Sequence, residues 1–160
     1  MADYRVGMGV DAHAFQEGVK LVLGGVEFDS PRGLAGHSDG DVIAHALIDA
    51  VLGAAGLSDI GELFPSTDAG LEGVSSLVLL EQALEVVRRD GWELTNADCV
   101  LVGEEPRIAE RRDEMRARLA QAAGVEVERV TVRATTTDRL GFAGRGEGLA
   151  ALAVALLERE

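Results

Sequence analysis

The chain of 160 residues is short of cysteine, aromatics and lysine, and each shortage excludes something. Cys99 is the only cysteine, so no internal disulfide can form and a reducing compartment suits the chain. Flanked by Val100, Leu101 and Val102, it reads as a buried strand thiol rather than a nucleophile. Aromatic residues make up 4% of the chain against 47% hydrophobic overall, so the core must be built from Ala, Val and Leu. Lys20 is the only lysine, and Lys plus Arg number 15 against 28 Asp plus Glu, a net charge of −13. That balance excludes a sequence-independent nucleic-acid binder and a protein that coats an anionic membrane. An anionic substrate must instead be met by a metal ion, a helix N-terminus or a few placed arginines. The longest apolar run, Leu149 to Leu157, falls far below the roughly 20 residues of a spanning helix. Met1 to Arg5 carries no basic stretch leading into an apolar one, so no signal peptide is expected and a cytoplasmic location is.

What is present is a set of short elements with clear periods. Tyr4, Val6, Met8 and Val10 alternate with smaller or polar residues, a strand pattern that places Asp11 and His13 on one side if the pleat continues. Leu21 to Phe28 reads as a second strand broken at Gly24-Gly25. From Gly36 to Leu57 a turn becomes a helix, with Ser38, Asp39 and Asp41 able to accept its free N–H groups. Ile43, Ala46, Leu47, Ala50, Val51 and Ala54 form its apolar face, while Asp41, His45 and Asp49 stack as a polar stripe. His37 precedes the helix, at the end that favours anions. A helix capped at Ser75 or Ser76 runs to Gly91, a strand covers Trp92 to Val102, and Pro106 suits the first turn of a helix that stops at Gly124. Val130 to Thr135 alternates as a further strand. Gly141 to Gly148 leads into a closing helix, apolar nearly all round until Glu158, which needs burial in its own core or against another subunit. The order predicts an α+β sandwich, helices on a mixed sheet, as a single domain over residues 1–160.

Asp11, His13 and His45 supply one carboxylate and two imidazoles, the ligand number a catalytic zinc uses while its fourth position stays open. The competing reading has His45 held by Asp41 or Asp49 on a solvated helix face, since spacing alone does not make a strand and a helix converge. Thr135, Thr136, Thr137 and Asp138 leave a strand end with hydroxyls and a carboxylate suited to phosphate oxygens and an oxygen-loving cation. Arg145, among glycines, either meets an anion or pairs with Glu147.

Together these segments resemble the 2-C-methyl-D-erythritol 2,4-cyclodiphosphate synthase family over nearly the whole chain. The resemblance rests on Gly9 to Phe15 (GVDAHAF), Leu23 to Val26 (LGGV), His37 to Asp41 (HSDGD) with His45, and the DIGxLFPxTD pattern ending at Asp68. It closes on Ala134 to Phe142 (ATTTDRLGF) and Gly144 to Gly148 (GRGEG). It implies one zinc per subunit on Asp11, His13 and His45, and Mg²⁺ or Mn²⁺ with help from Asp138. It implies a cytidine diphosphate substrate, 4-diphosphocytidyl-2-C-methyl-D-erythritol 2-phosphate, cyclised with loss of CMP by attack of the 2-phosphate on the β-phosphorus. His37 and Thr136 are implied to stabilise the transition state. Ser38, Asp59, Ile60, Gly61, Phe64, Pro65, Ser66, Thr67 and Asp68 are implied to hold the methylerythritol phosphate, and Asp11, Ala12, His13 and His37 to contact the substrate as well. Gly103, Glu104, Glu105, Pro106, Arg107, Ile108 and Ala109 are implied to form the cytidine pocket, and Thr135, Thr136, Thr137, Asp138, Phe142 and Arg145 the diphosphate side. A homotrimer with active sites between subunits is implied, with no nucleic-acid or membrane partner. Two departures stand out: Asp138 where the family usually has Glu, and the acidic pair Glu104-Glu105. Without the resemblance, a zinc phosphoesterase or a non-catalytic binder of the same fold remains open.

Overall fold

The computed structural model describes residues 1–160. A five-stranded mixed sheet runs in the order β4 (Arg32–Leu34), β1 (Asp3–Glu17), β7 (Gly148–Arg159), β5 (Glu93–Val102), β6 (Val130–Thr135). All neighbours are antiparallel except β5 and β6. Helices α1 (Val42–Ala54), α3 (Ser76–Arg89) and α4 (Arg112–Ala123) join one core with the sheet, and the short turns α2 (Ile60–Leu63) and α5 (Gly141–Gly144) lie in connections. The α+β reading of the sequence is the fold observed.

The closing segment is the main correction. Residues 148–159 form β7, hydrogen-bonded to β1 on one side and β5 on the other. A run of Ala, Leu and Val with no polar marker satisfies a period of 2 as well as 3.6, and pairing to two waiting strands decides between them. Its alternate residues Leu149, Ala151, Ala153, Ala155 and Leu157 are buried, whereas Leu152 and Val154 are 39% and 43% exposed on the other face. Tyr4, Val6, Met8 and Val10 of β1 add to this outer apolar face. The second face that asked for burial is real, but it belongs to a sheet.

Smaller differences follow local chemistry. Leu21 to Phe28 is a hairpin, β2 (Leu21–Leu23) against β3 (Val26–Phe28), because Gly24 and Gly25 both take positive φ and reverse the chain. Pro106 lies in the loop after β5 behind a cis peptide bond, not in the first turn of α4. The polar stripe on α1 is not solvated. Asp41 is fully buried and caps the helix through Ala44 N–H, while also accepting from Gly24 and Gly25 N–H at 2.9 and 2.7 Å. Its own carboxylate therefore occupies the helix N-terminus that the sequence offered to an anion. Asp49 accepts from Ile60 N–H at 2.7 Å. Cys99 is buried as expected, and desolvation pushes its thiol up to about 12, so it is unreactive.

The fold positions the site through two glycines. A methyl group added at Gly7 or Gly9 would collide with the carbonyl oxygens of Ala50 and Ala46, so β1 lies directly on the α1 backbone. That approach supplies the convergence of strand and helix that spacing could not.

Candidate metal site and cleft

Asp11 and His13 point from the same face of β1 toward His45 of α1. His13 Nε2 lies 2.7 Å from Asp11 Oδ2 and 3.3 Å from His45 Nδ1, and His45 Nδ1 lies 3.1 Å from Asp11 Oδ2. The ligand atoms of the three residues all fall within 4.8 Å of one another. The outer ring nitrogens are committed elsewhere. His13 donates Nδ1–H to the Ala35 carbonyl at 2.6 Å, which leaves Nε2 as its inward atom. On His45 the outer Nε2 contacts Ser76 Oγ at 2.8 Å and Ser38 Oγ at 2.9 Å.

Three lone pairs thus converge, which is the donor set a divalent cation requires and a costly arrangement without positive charge. The protein's own response is protonation. The hydrogen bond to Asp11 raises His13 above its usual value against the opposing effect of burial. Burial pushes Asp11 up, yet the hydrogen bond from His13 and the imidazole charge beside it outweigh this and hold the carboxyl far below its ordinary range. Two imidazoles, one carboxylate and a fourth side free of protein ligands fit zinc. Asp138 is exposed and joins no second group of three metal-binding side chains. It fits a cation that takes one carboxylate and fills its shell with phosphate oxygens.

The other expected site residues divide into two groups. Around the metal trio, His37 donates Nε2–H to the Asp68 carbonyl at 2.8 Å, and Gly73 N–H returns a bond to the His37 carbonyl at 2.9 Å, so the segment 59–74 folds against His37. Asp59 caps α2 through Glu62 N–H. Ala12, Ser66 and Thr67 are exposed and Phe64 is half-buried.

The second group lines a cleft of about 740 Å³. Its walls include Glu104, Glu105, Pro106, Arg107, Thr136, Asp138 and Arg145, joined by Arg32 and Arg139, which the sequence reading did not single out. Nothing in the local pattern marks those two arginines; only the fold gathers them. Asp138 and Arg139 take φ of 55° and 64°, an uncommon conformation for side-chain-bearing residues, and Glu104 accepts Arg139 N–H at 2.7 Å. Arg145 pairs with Glu147 at 2.7 Å, the alternative the sequence left open. Ile108 is buried in the core and anchors the loop rather than facing the cleft. Thr135 and Phe142 are exposed, and Gly103 N–H bonds the Thr135 carbonyl at 3.0 Å. None of Asp11, His13 and His45 lines this cleft.

Fold and side chains define a class: an α+β protein with a two-imidazole, one-carboxylate set suited to a divalent cation and a separate arginine-lined cleft suited to phosphates. The YgbB family matches residues 4–158, and the chain belongs to that family. A 2-C-methyl-D-erythritol 2,4-cyclodiphosphate synthase of Rubrobacter xylanophilus is 59% identical, over 99% of this chain and 98% of its own length. The bifunctional IspDF of Campylobacter jejuni superposes with a TM-score of 0.96 at 42% identity, covering 100% of this chain and 43% of that one. The IspF of Plasmodium falciparum, solved as a CDP complex, gives 0.85 at 28% identity, over 98% of this chain and 97% of that one.

Proposed function

We propose that the chain converts 4-diphosphocytidyl-2-C-methyl-D-erythritol 2-phosphate into 2-C-methyl-D-erythritol 2,4-cyclodiphosphate and CMP, as a phosphorus–oxygen lyase of non-mevalonate isoprenoid synthesis. A 2-phosphate oxygen attacks the β-phosphorus, the bond from that phosphorus to the bridging oxygen breaks, and CMP leaves with the electron pair. The observation that carries the reading is the convergence of Asp11, His13 and His45 in a chain whose relatives are named for this product.

Zinc on those three residues, one per chain, would supply positive charge to a β-phosphate oxygen at its open position. Asp138 would hold Mg²⁺ or Mn²⁺, which would supply positive charge to the diphosphate. The protein's own work is positioning and charge placement, since phosphoryl transfer asks little covalent chemistry of it. His37, its ring oriented by the Asp68 carbonyl, and Thr136, at the cleft, are the groups assigned to the crowded phosphorus. Ser38, Asp59 to Gly61 and Phe64 to Asp68 hold the methylerythritol phosphate. Gly103 to Arg107 and Ala109 hold the cytidine, with Arg107 in the cleft wall and Ile108 anchoring the segment from the core, and the CDP complex of the Plasmodium falciparum relative supports a cytidine site.

A homotrimer with active sites shared between subunits accounts for two otherwise unrelated features. The metal trio and the cleft are separate within one chain, and the outer face of β1 and β7 leaves Val6 and Met8 69% and 66% exposed. No helix is long and apolar enough to cross a membrane, and a cytoplasmic location is part of the same proposal.

Phosphorus NMR of the protein with this substrate and Mg²⁺, with and without a strong chelator, tests the reading. CMP appearing together with a cyclic diphosphate, and abolished by chelation, is the expected result. CMP without the cyclic product would instead establish a hydrolase.

A further inference from the structure

Behind His45, on the side away from Asp11 and His13, a hydrogen-bond chain of fixed direction runs into the protein. Ser76 Oγ lies against Asp39 Oδ1 at short range, and Ser76 N–H bonds Asp39 Oδ2 at 3.0 Å. An ionised carboxylate can only accept, so the single hydroxyl proton of Ser76 goes to Asp39. The Ser76 oxygen therefore faces His45 Nε2, 2.8 Å away, with a lone pair, and Nε2 must be the donor. Ser38 Oγ is 2.9 Å from the same nitrogen and 3.2 Å from Ser76 Oγ, so its hydroxyl can donate to Ser76 while its oxygen shares the Nε2–H. Ser76 is fully buried, so no water competes for the arrangement. Asp39 is itself fixed by accepting Asp41 N–H at 3.1 Å.

We propose that Asp39 and Ser76 act as positioning residues that lock the proton of His45 on Nε2 and so present Nδ1, with its lone pair, to the cation site. The role rests on the metal reading given above but is distinct from it: without metal, Asp11 Oδ2, 3.1 Å from His45 Nδ1, competes for the proton, but that oxygen already accepts from His13 Nε2 at 2.7 Å, whereas His45 Nε2 faces two hydroxyl oxygens at 2.8 and 2.9 Å. His13 is locked differently, through the rigid carbonyl of Ala35. For His45 the acceptor is a hydroxyl, which by itself could equally donate; the Asp39 charge is what removes that freedom. Ser75, not Ser76, caps α3, through Leu77 N–H, which leaves Ser76 for this task.

Long-range nitrogen NMR of the metal-free protein at near-neutral pH, where His13 still occupies Asp11, together with zinc competition against a chromophoric chelator, tests the proposal in the wild type, Ser76→Ala and Asp39→Asn. The wild type is expected to hold the Nε2–H tautomer of His45. Ser76→Ala is expected to populate both tautomers and to bind zinc roughly ten- to hundredfold more weakly. Asp39→Asn can donate from its amide to Ser76, turning the hydroxyl proton toward His45, so Nδ1–H should gain population there. An unchanged tautomer in both folded variants, with zinc affinity within about twofold of wild type, would overturn the proposal. Failure of the wild type to take up zinc would sink the metal assignment instead, while the NMR still decides the hydrogen-bond chain.

Discussion

His13 donates its Nδ1–H to the Ala35 carbonyl at 2.6 Å, and this single bond turns Nε2 toward Asp11, 2.7 Å away. The proton that Nε2 gains in the metal-free protein is the one a cation must displace.

A reversal of pH dependence follows. His13 is raised above 6.5 by Asp11, so its contribution to stability is fully present below 6.5 and is lost as pH rises through its folded value. Asp11 is depressed, so its contribution is present above 3.8 and is lost only as pH falls through its much lower folded value, outside this window. Metal-free protein should therefore melt higher at about pH 6 than at about pH 8. Zinc affinity should do the opposite, falling up to about tenfold per pH unit on the acid side as His13 holds its proton. Calorimetry on both forms checks this, and His13→Gln should weaken the trend in the metal-free protein, leaving the smaller share of Asp41, whose carboxyl burial raises to about 6.

Gly9 is where β1 rests on the carbonyl of Ala46, the residue next to His45. Gly9→Ala forces strand and helix apart and should destabilise by about 1–3 kcal/mol. Because the same displacement separates Asp11 and His13 from His45, zinc affinity should fall with it. Gly53→Ala, in the same helix but with only a distant neighbour, serves as the control: zinc affinity should stay unchanged and stability should rise by about 0.5–1 kcal/mol, the helix preference for Ala over Gly.

Asp138 is exposed at the cleft, apart from the metal trio. Asp138→Ala should lower kcat by about a hundredfold or more while leaving bound zinc unchanged. Equal loss of turnover and zinc, measured by metal analysis beside the phosphorus NMR assay, would contradict a separate second cation.

The outer face of β1 carries Val6 and Met8 in the open. Val6→Glu combined with Met8→Glu should convert the proposed three-chain assembly to single chains, read by light scattering, with activity lost but the monomer fold retained by circular dichroism. A wild type that runs as a single chain would end the shared-site proposal.

Much of this was legible in the residues because the signals are local. Alternation in β1, the capping carboxylate of Asp41, the glycines that stop α3 and α4, and the ligand types at Asp11, His13 and His45 all act within a few positions of one another. Residues 148–159 have a nearly balanced local preference; hydrogen bonds to β1 and β5, both distant in sequence, tip them into a strand rather than a helix. Asp39 and Ser76 looked like two unrelated helix-start residues, since 37 positions separate them. Arg32 and Arg139 reach one cleft only once β4 and the turn after β6 are in place.

By itself, then, the sequence determined the α+β class, the acidic balance that leaves any anionic substrate in need of local positive charge, and which three side chains could hold a cation. Tertiary structure decided that they meet. Ligand identity is a property of single residues, but convergence to within 4.8 Å depends on how closely β1 lies on α1. That spacing is set by the missing side chains at Gly7 and Gly9, whose effect appears only when two backbones touch.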